Sequence, residues 1–169
     1  FVDSGTVNLI DTVDADGDLL LDAAADGTVG GTLDITSAAG SIAQSVLTLD
    51  VTGASSFTTS TTDADIALGT VNEFVGAVTL STAGTTGNAT IVSGTVNDLV
   101  LAASTINGNL TVTNGNAAGI TDSGLVTVTG NFSATTNANS GLINLDTLAV
   151  TGTIALTTNA GGSATIVNA

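Results

Sequence analysis

Lysine, arginine and histidine are absent from the 169 residues, as are cysteine, proline, methionine, tryptophan and tyrosine. The 15 acidic side chains therefore have no ion-pair partner within the chain, and the formal net charge is −15. Phosphate recognition rests on Lys and Arg, so nucleic acid is not an expected partner. Anionic lipid surfaces are disfavoured for the same reason, and divalent cations are the natural counter-charge. The lack of cysteine rules out a disulfide framework and leaves the redox compartment open. No apolar run is long enough to span a bilayer and no signal-peptide pattern occurs, so membrane insertion is not expected. Phe1 stands where a start methionine would, which reads as a processed product or a segment of something longer.

The same absences bear on catalysis. Without His, Lys, Cys, Arg or Tyr, acid–base work falls to carboxylates alone, and no side chain is available to activate a serine or threonine. A carboxylate pair can hydrolyse a glycoside, with Asp14, Asp16 and Asp18, or Asp63 and Asp65, as the candidates. Aromatic stacking platforms for sugar rings are missing, since only Phe1, Phe57, Phe74 and Phe132 are aromatic. The expectation is a protein that is not an enzyme.

What the chain does contain is Val, Ile, Leu and Thr in alternating runs, with a mean hydropathy of +0.52 that argues against the disorder its charge would suggest. Leu47-Thr48-Leu49-Asp50-Val51, Leu110-Thr111-Val112-Thr113 and Val126-Thr127-Val128-Thr129 each have the period of two that buries one face of a strand. Asn107-Gly108, Asn114-Gly115 and Gly161-Gly162 punctuate the runs as turns. No window has a helical period with caps, so essentially no helix is expected.

The chain also repeats itself. Gly87–Val92 returns as Gly162–Val167 and Phe57 as Phe132, both 75 positions later. Gly30–Thr36 matches Asn107–Thr113 at a shift of 77, and Ile42–Ser45 matches Ile120–Ser123 at 78. The reading is one repetitive segment, 1–169, of about two copies of a ~77-residue unit: roughly 1–92 and 93–169. Ser4-Gly5-Thr6-Val7-Asn8 recurs unchanged at 93–97, a shift of 89. Set against the repeat period, that excess predicts an insertion of about 12 residues, mostly around Leu9–Asp18, bulging as an acidic loop. The repeat phase also runs on from the C-terminal Ala164–Ala169 into Phe1–Asn8, so the expectation is either a segment of a longer array or copies that stack head to tail.

Two architectures fit these units. In a parallel β-solenoid, turns of roughly 18–25 residues stack at about 4.8 Å around a narrow aliphatic core. In tandem Ig-like β-sandwiches, each unit is its own domain. Small side chains, Asn and Gly at corners and the continuous repeat phase favour the all-β solenoid.

The phrases Gly-Asn-Leu-Thr-Val-Thr (108–113), Gly-Ile-Thr-Asp-Ser-Gly (119–124), Leu-Val-Thr-Val-Thr-Gly (125–130) and Gly-Asn-Ala-Thr-Ile-Val (87–92) carry a resemblance. Together they are similar to the filamentous-haemagglutinin-like, β-strand-repeat surface proteins of bacteria, very large secreted adhesins. The resemblance covers nearly the whole chain except about 9–18. It implies a secreted, cell-surface β-helical shaft serving adhesion, biofilm matrix or filament formation. It transfers no binding site to any residue and names no receptor.

Three motifs remain. Asp14, Asp16, Asp18 and Asp22 place four hard oxygen ligands within nine residues, suited to Ca²⁺ in the range of extracellular modules. The turn Gly sits at 17 and position twelve of the would-be loop is Ala25, so the cluster departs from an EF-hand. A Ca²⁺ site and a solvated acidic loop both stay open, and no cofactor is required. The Thr-x-Thr pairs 111/113, 127/129 and 151/153 suggest an ice-binding face, but their starts are 16 and then 24 apart and do not follow a regular turn. Asn88, Asn109 and Asn131 head glycosylation sequons of the kind chance supplies in a chain so rich in Asn and Thr. The sequence therefore predicts a non-enzymatic, extracellular structural segment whose partners are neighbouring repeats or copies of itself, stacked end to end. A calcium-stiffened adhesin stalk is the alternative, with ice-binding and glycan-acting β-helices below it.

Overall fold

The computed structural model describes residues 2–3, 7–11, 19–21, 27–44, 46 and 48–169. Among them there is no helix, and every strand pairing is parallel. The chain is a β-solenoid of about six turns. The sandwich alternative needs antiparallel hairpins, which are absent among the described residues.

The path enters through β1 (Val2–Asp3) and β2 (Val7–Asp11), then makes one turn as β3 (Leu19–Leu21), β4 (Gly27–Val29) and β5 (Leu33–Ser37). The next turns are β6 (Ile42–Gln44), β7 (Leu49–Val51), β8 (Ser55–Thr62), followed by β9 (Ile66–Phe74) and β10 (Val78–Ala83). Then come β11 (Ala89–Ser93), β12 (Leu99–Leu101), β13 (Ser104–Ile106), β14 (Leu110–Asn114), β15 (Ile120–Asp122) and β16 (Val126–Val128). The path closes with β17 (Phe132–Thr136), β18 (Leu142–Val150), β19 (Ile154–Thr158) and β20 (Ser163–Asn168).

Pairing sorts these strands into three faces. The first face stacks β3, β6, the start of β9, β11, β14, β17 and β19. On the second face, β1, β4, β7 and the end of β9 form one run, and β12, β15, the start of β18 and β20 form another. The third face stacks β2, β5, β8, β10, β13, β16 and the end of β18. The hydrogen-bonded network is nonetheless two ten-stranded sheets, because β9 and β18 each continue around a corner from one face to the next.

Inward positions alternate along strands such as β5, β8, β10, β11, β14 and β17 as the period-two pattern requires, giving one continuous apolar core. Inward pairs of the first face differ in bulk from rung to rung: Ile66 with Leu68, Ala89 with Ile91, Leu110 with Val112, Phe132 with Ala134, all buried. At the bulkiest of these positions, Phe132, the small Ala134 offsets the ring, as packing at crystal-like density requires. Phe57 and Phe74 meet edge to face, with ring centroids 6.1 Å apart at 77°.

The last inward position before a corner is often polar. Thr59 and Thr82 are buried and donate to the carbonyls of Ala64 and Gly87, five residues on, at 3.2 and 3.0 Å. Asn72 is fully buried and binds Gln44, Leu49 N–H and the Thr70 and Val92 carbonyls, tying three successive turns together. These residues satisfy backbone groups that lose their ladder partners where the chain bends.

The topology revises several details of the repeat. Leu9–Asp11, read as the start of a loop, are the last residues of β2 and pair with Ile35–Ser37. The identical pentapeptides at 4–8 and 93–97 differ where both are described. Val7 and Asn8 begin a strand, whereas Thr95–Asn97 lie in the corner after β11, with Val96 71% exposed. The spacing that implied an insertion therefore links non-equivalent positions. Residues 12–18 lie outside the described residues. Phe57 and Phe132 hold matching strands but different inward positions: Phe57 stacks in the column of Ile35, Phe132 in that of Leu110.

Candidate functional site

The side chains with chemistry to offer are carboxylates, amides and hydroxyls, and the structure gathers many of them at the corners. One row runs the length of the corner between the third and first faces: Ser41, Asp65, Asn88, Asn109, Asn131 and Thr153. Asp65 Oδ1 accepts from the Asn88 backbone N–H at 2.7 Å and from its Nδ2 at 3.1 Å. Asn88 Oδ1 accepts from Asn109 N–H at 2.9 Å and Nδ2 at 3.0 Å. Asn109 Oδ1 takes the Asn131 N–H at 2.8 Å, and Asn131 Oδ1 takes the N–H and the hydroxyl of Thr153, both at 2.9 Å. The Asp65 N–H donates to Ser41 Oγ at 3.1 Å. From Asp65 onward, each acceptor thus serves the turn that follows it.

This ladder explains the sequons. In Asn88-Ala-Thr, Asn109-Leu-Thr and Asn131-Phe-Ser the Asn is the corner acceptor, the next residue points into the core, and the hydroxyl residue points out. The strand pattern generates the motif without any role for a glycan. Asn109→Ala removes the acceptor of the Asn131 N–H and the donor to Asn88. The corner is solvent-exposed, so water recovers part of the loss, and a cost of about 1 kcal/mol is expected. A urea titration against wild type checks it.

Other carboxylates do the same work where ladders are interrupted. The register of β9 slips against β11 between Leu68 and Asn72, and beyond that slip Glu73 Oε1 accepts from Thr95 N–H at 3.0 Å and Val96 N–H at 3.3 Å. Asp122 takes the N–H groups of Asp146 (3.1 Å) and Thr147 (2.8 Å), the residues at which β18 slips in register against β20. Asp63 adopts φ 63°, a conformation Asp and Asn enter more readily than most residues. Its Oδ1 accepts from Thr85 and Thr86 N–H at 2.7 and 2.8 Å.

Those backbone donors, Thr85 first and Thr86 second, hold the Asp63 carboxyl below the usual aspartate value. The sign follows from linkage: a depressed folded pKa adds stability that is present above the unfolded value and lost as pH falls through the folded one. A carboxylate-resolved NMR titration is expected to show Asp63 titrating below an unfolded-state aspartate. Asp63→Asn, which keeps the acceptor oxygen and the tolerance for positive φ, is expected to remove that acid-side dependence. A midpoint at or above the ordinary value would contradict the reading.

Of the candidates from the sequence, Asp14, Asp16, Asp18 and Asp22 lie outside the described residues. Among the described residues no three metal-ligating side chains converge. Asp63 and Asp65 do not converge on a common site in the hydrogen-bond pattern, since each is bound to a different part of the following turn. The Thr-x-Thr pairs also separate: Thr111 and Thr113 lie on the first face, Thr127 on the third, and Thr151 and Thr153 at a corner.

The outward hydroxyl columns are instead built across turns. Thr36, Thr58, Ser81, Thr105 and Thr127 run in sequence up the third face, and Thr113, Thr135 and Thr157 up the first. A shallow groove of about 330 Å³ lies beside the Asn ladder, lined by Thr85, Thr86, Asn88, Asn109 and the glycines 108 and 130. What the arrangement does is hold turn to turn.

A repeat family described as repeats of unknown function, DUF5649, matches residues 5–81 and again 86–157. The chain belongs to this family. Neither a curated protein nor a solved structure matches it. The repeat is also visible in backbone detail. Among the described residues the two non-glycine residues with positive φ, Asp63 (63°) and Ser140 (60°), are 77 apart, and so are Gly84 (88°) and Gly161 (77°). Asp63 N–H bonds the Ala83 carbonyl as Ser140 N–H bonds that of Ala160. Gly94 N–H bonds the Asn72 carbonyl as Ala169 N–H bonds that of Leu148.

Proposed function

We propose that this chain is a non-enzymatic structural segment of an extracellular bacterial adhesin or filament, adding end to end to neighbouring repeats or further copies to form a shaft. The observation that supports this most directly is the corner ladder from Asp65 to Thr153, in which each turn supplies the acceptor for the next. Most of the carboxylates and amides with described bonds are spent on that axial continuity. At the last rung Ile154, Leu156 and Ile166 are only partly buried against the core, an apolar surface with unpaired backbone groups that a further rung would cover. A surface without lysine or arginine offers trypsin-like proteases no site, which suits an exposed location. Parallel stacking accounts for stiffness by itself, so Ca²⁺ is an accessory to this reading rather than a requirement.

Cryo-electron microscopy of concentrated protein, with and without EDTA, tests it. The expected result is rods with a layer spacing near about 4.8 Å running unbroken across chain ends in both conditions. Leu156→Asp, which places a charge on the end rung, is expected to leave β-structure intact by circular dichroism and abolish the rods. A folded wild-type chain that stays monomeric at all concentrations would overturn the proposal. Beads that collapse in EDTA would replace it with a calcium-linked stalk.

A further inference from the structure

The repeat in the sequence and the turn of the coil do not share a period. Leu33–Ile35 of β5 lies on the third face, yet its counterpart in the second copy, Leu110–Val112 of β14, lies on the first. Ile42 of β6 is on the first face and its counterpart Ile120 of β15 on the second. Leu49–Val51 of β7 is on the second and Val126–Val128 of β16 on the third. The long strands β9 and β18, both nine residues, complete the pattern: β9 bends from the first face to the second, β18 from the second to the third. Between Leu33 and Leu110 the chain crosses ten faces, and ten is three turns and one face more.

From this we infer that the unit is a three-fold screw element: each copy advances three and one-third turns, about 16 Å at a strand spacing of about 4.8 Å, and is rotated by one face relative to the copy before. The outward surface rotates with it. Ser56 and Thr58 on the third face correspond to Ser133 and Thr135 on the first, and Ser81 corresponds to Thr157. Any outward feature that recurs once per copy, the uncharged hydroxyl patch included, thus points in two directions on this chain. On a longer array it points in three before returning after three copies, about 48 Å along the axis. A partner that reads such a feature meets the shaft from all sides in succession instead of along one edge. The consequence for arrays rests on the end-to-end reading above; the offset within one chain does not.

Spin-label distances separate the two. The chain has no cysteine, so Thr58→Cys paired with Thr127→Cys, and Thr58→Cys paired with Thr135→Cys, report single distances. The first pair lies three turns apart on one face, about 14 Å along the axis. The second is expected to be longer by on the order of 10 Å, because its labels leave from different faces of a prism about 16 Å on a side. Equal distances would mean a whole number of turns per copy and overturn the inference. A long second distance with no rods in the microscope would sustain the offset and refute end-to-end assembly. Rods whose axial repeat is one copy instead of three would refute the screw in the array.

Discussion

Phe57→Ala is expected to cost roughly 3–5 kcal/mol, one of the largest effects of any single substitution in the chain. Phe57 has no exposed surface, and on the third face it is stacked between Ile35 of the turn before and Leu80 of the turn after. Its ring also meets Phe74 edge to face across the interior, an arrangement that contributes beyond the area it buries. Truncation removes contacts to three turns at once, and the backbone ladders on either side hold the walls apart, so the cavity cannot close. In a solenoid each turn touches only its neighbours, which makes the local loss hard to redistribute.

Equilibrium denaturation checks the size, with two comparisons. Phe57→Leu, which refills most of the volume, is expected to cost about 1–2 kcal/mol. Phe132, in the matching strand of the second copy but one inward position earlier, is stacked between Leu110 and Ile154. Phe132→Ala loses comparable burial but no aromatic partner, and its neighbour Ile154 is only partly buried. It is expected to cost less than Phe57→Ala. A loss below about 1 kcal/mol for Phe57→Ala would mean the interior is not packed as described.

Much of this interior was legible from the sequence, because period-two alternation in Leu110–Thr113 or Val126–Thr129 has only one physical solution in a half-buried strand. Parallel stacking was legible from the small side chains and the corner Asn and Gly residues. The role of those asparagines was not. Asn88, Asn109 and Asn131 look like sequons locally, and only the lateral neighbour, 21 or 22 positions away, reveals that each is an acceptor for the next turn. A search at that spacing would have found the row.

The hydroxyl columns were hidden for the same reason. Thr113, Thr135 and Thr157 align across turns, whereas adjacency along the chain suggested pairs that the corners separate. The pentapeptide shared by 4–8 and 93–97 misled in the opposite sense: five mostly small or polar residues are compatible with both a strand start and a corner, so identity there did not imply equivalence. The offset between repeat and turn could not be read from sequence, since it depends on β9 and β18 each covering two faces.

Gly53→Ala is expected to destabilise the chain and Gly69→Ala is not, although both add one methyl group to a glycine of the coil. At Gly53 the chain leaves the second face, and its N–H bonds the Gly31 carbonyl directly beneath at 2.9 Å. A Cβ there would lie 2.5 Å from that carbonyl oxygen and 2.8 Å from the Thr32 nitrogen, both backbone atoms with no side-chain freedom to yield. One turn on, a Cβ on Gly76 would meet the Gly53 carbonyl oxygen at 2.3 Å, so opening the gap under Gly53 presses on the turn above. Relief requires the two corners to part and the hydrogen bond to lengthen, and the expected cost is roughly 2–3 kcal/mol. Gly69 sits in the register slip of β9, where an added Cβ has nothing within 4 Å. Alanine there restricts the unfolded chain without a clash, so a neutral effect or a gain of up to about 1 kcal/mol is expected. Paired denaturation curves decide the matter. If both substitutions destabilise equally, close backbone approach at the corner is not what reserves Gly53 for glycine; a loss at Gly53 with none at Gly69 would establish that the corners stack at a separation only glycine permits.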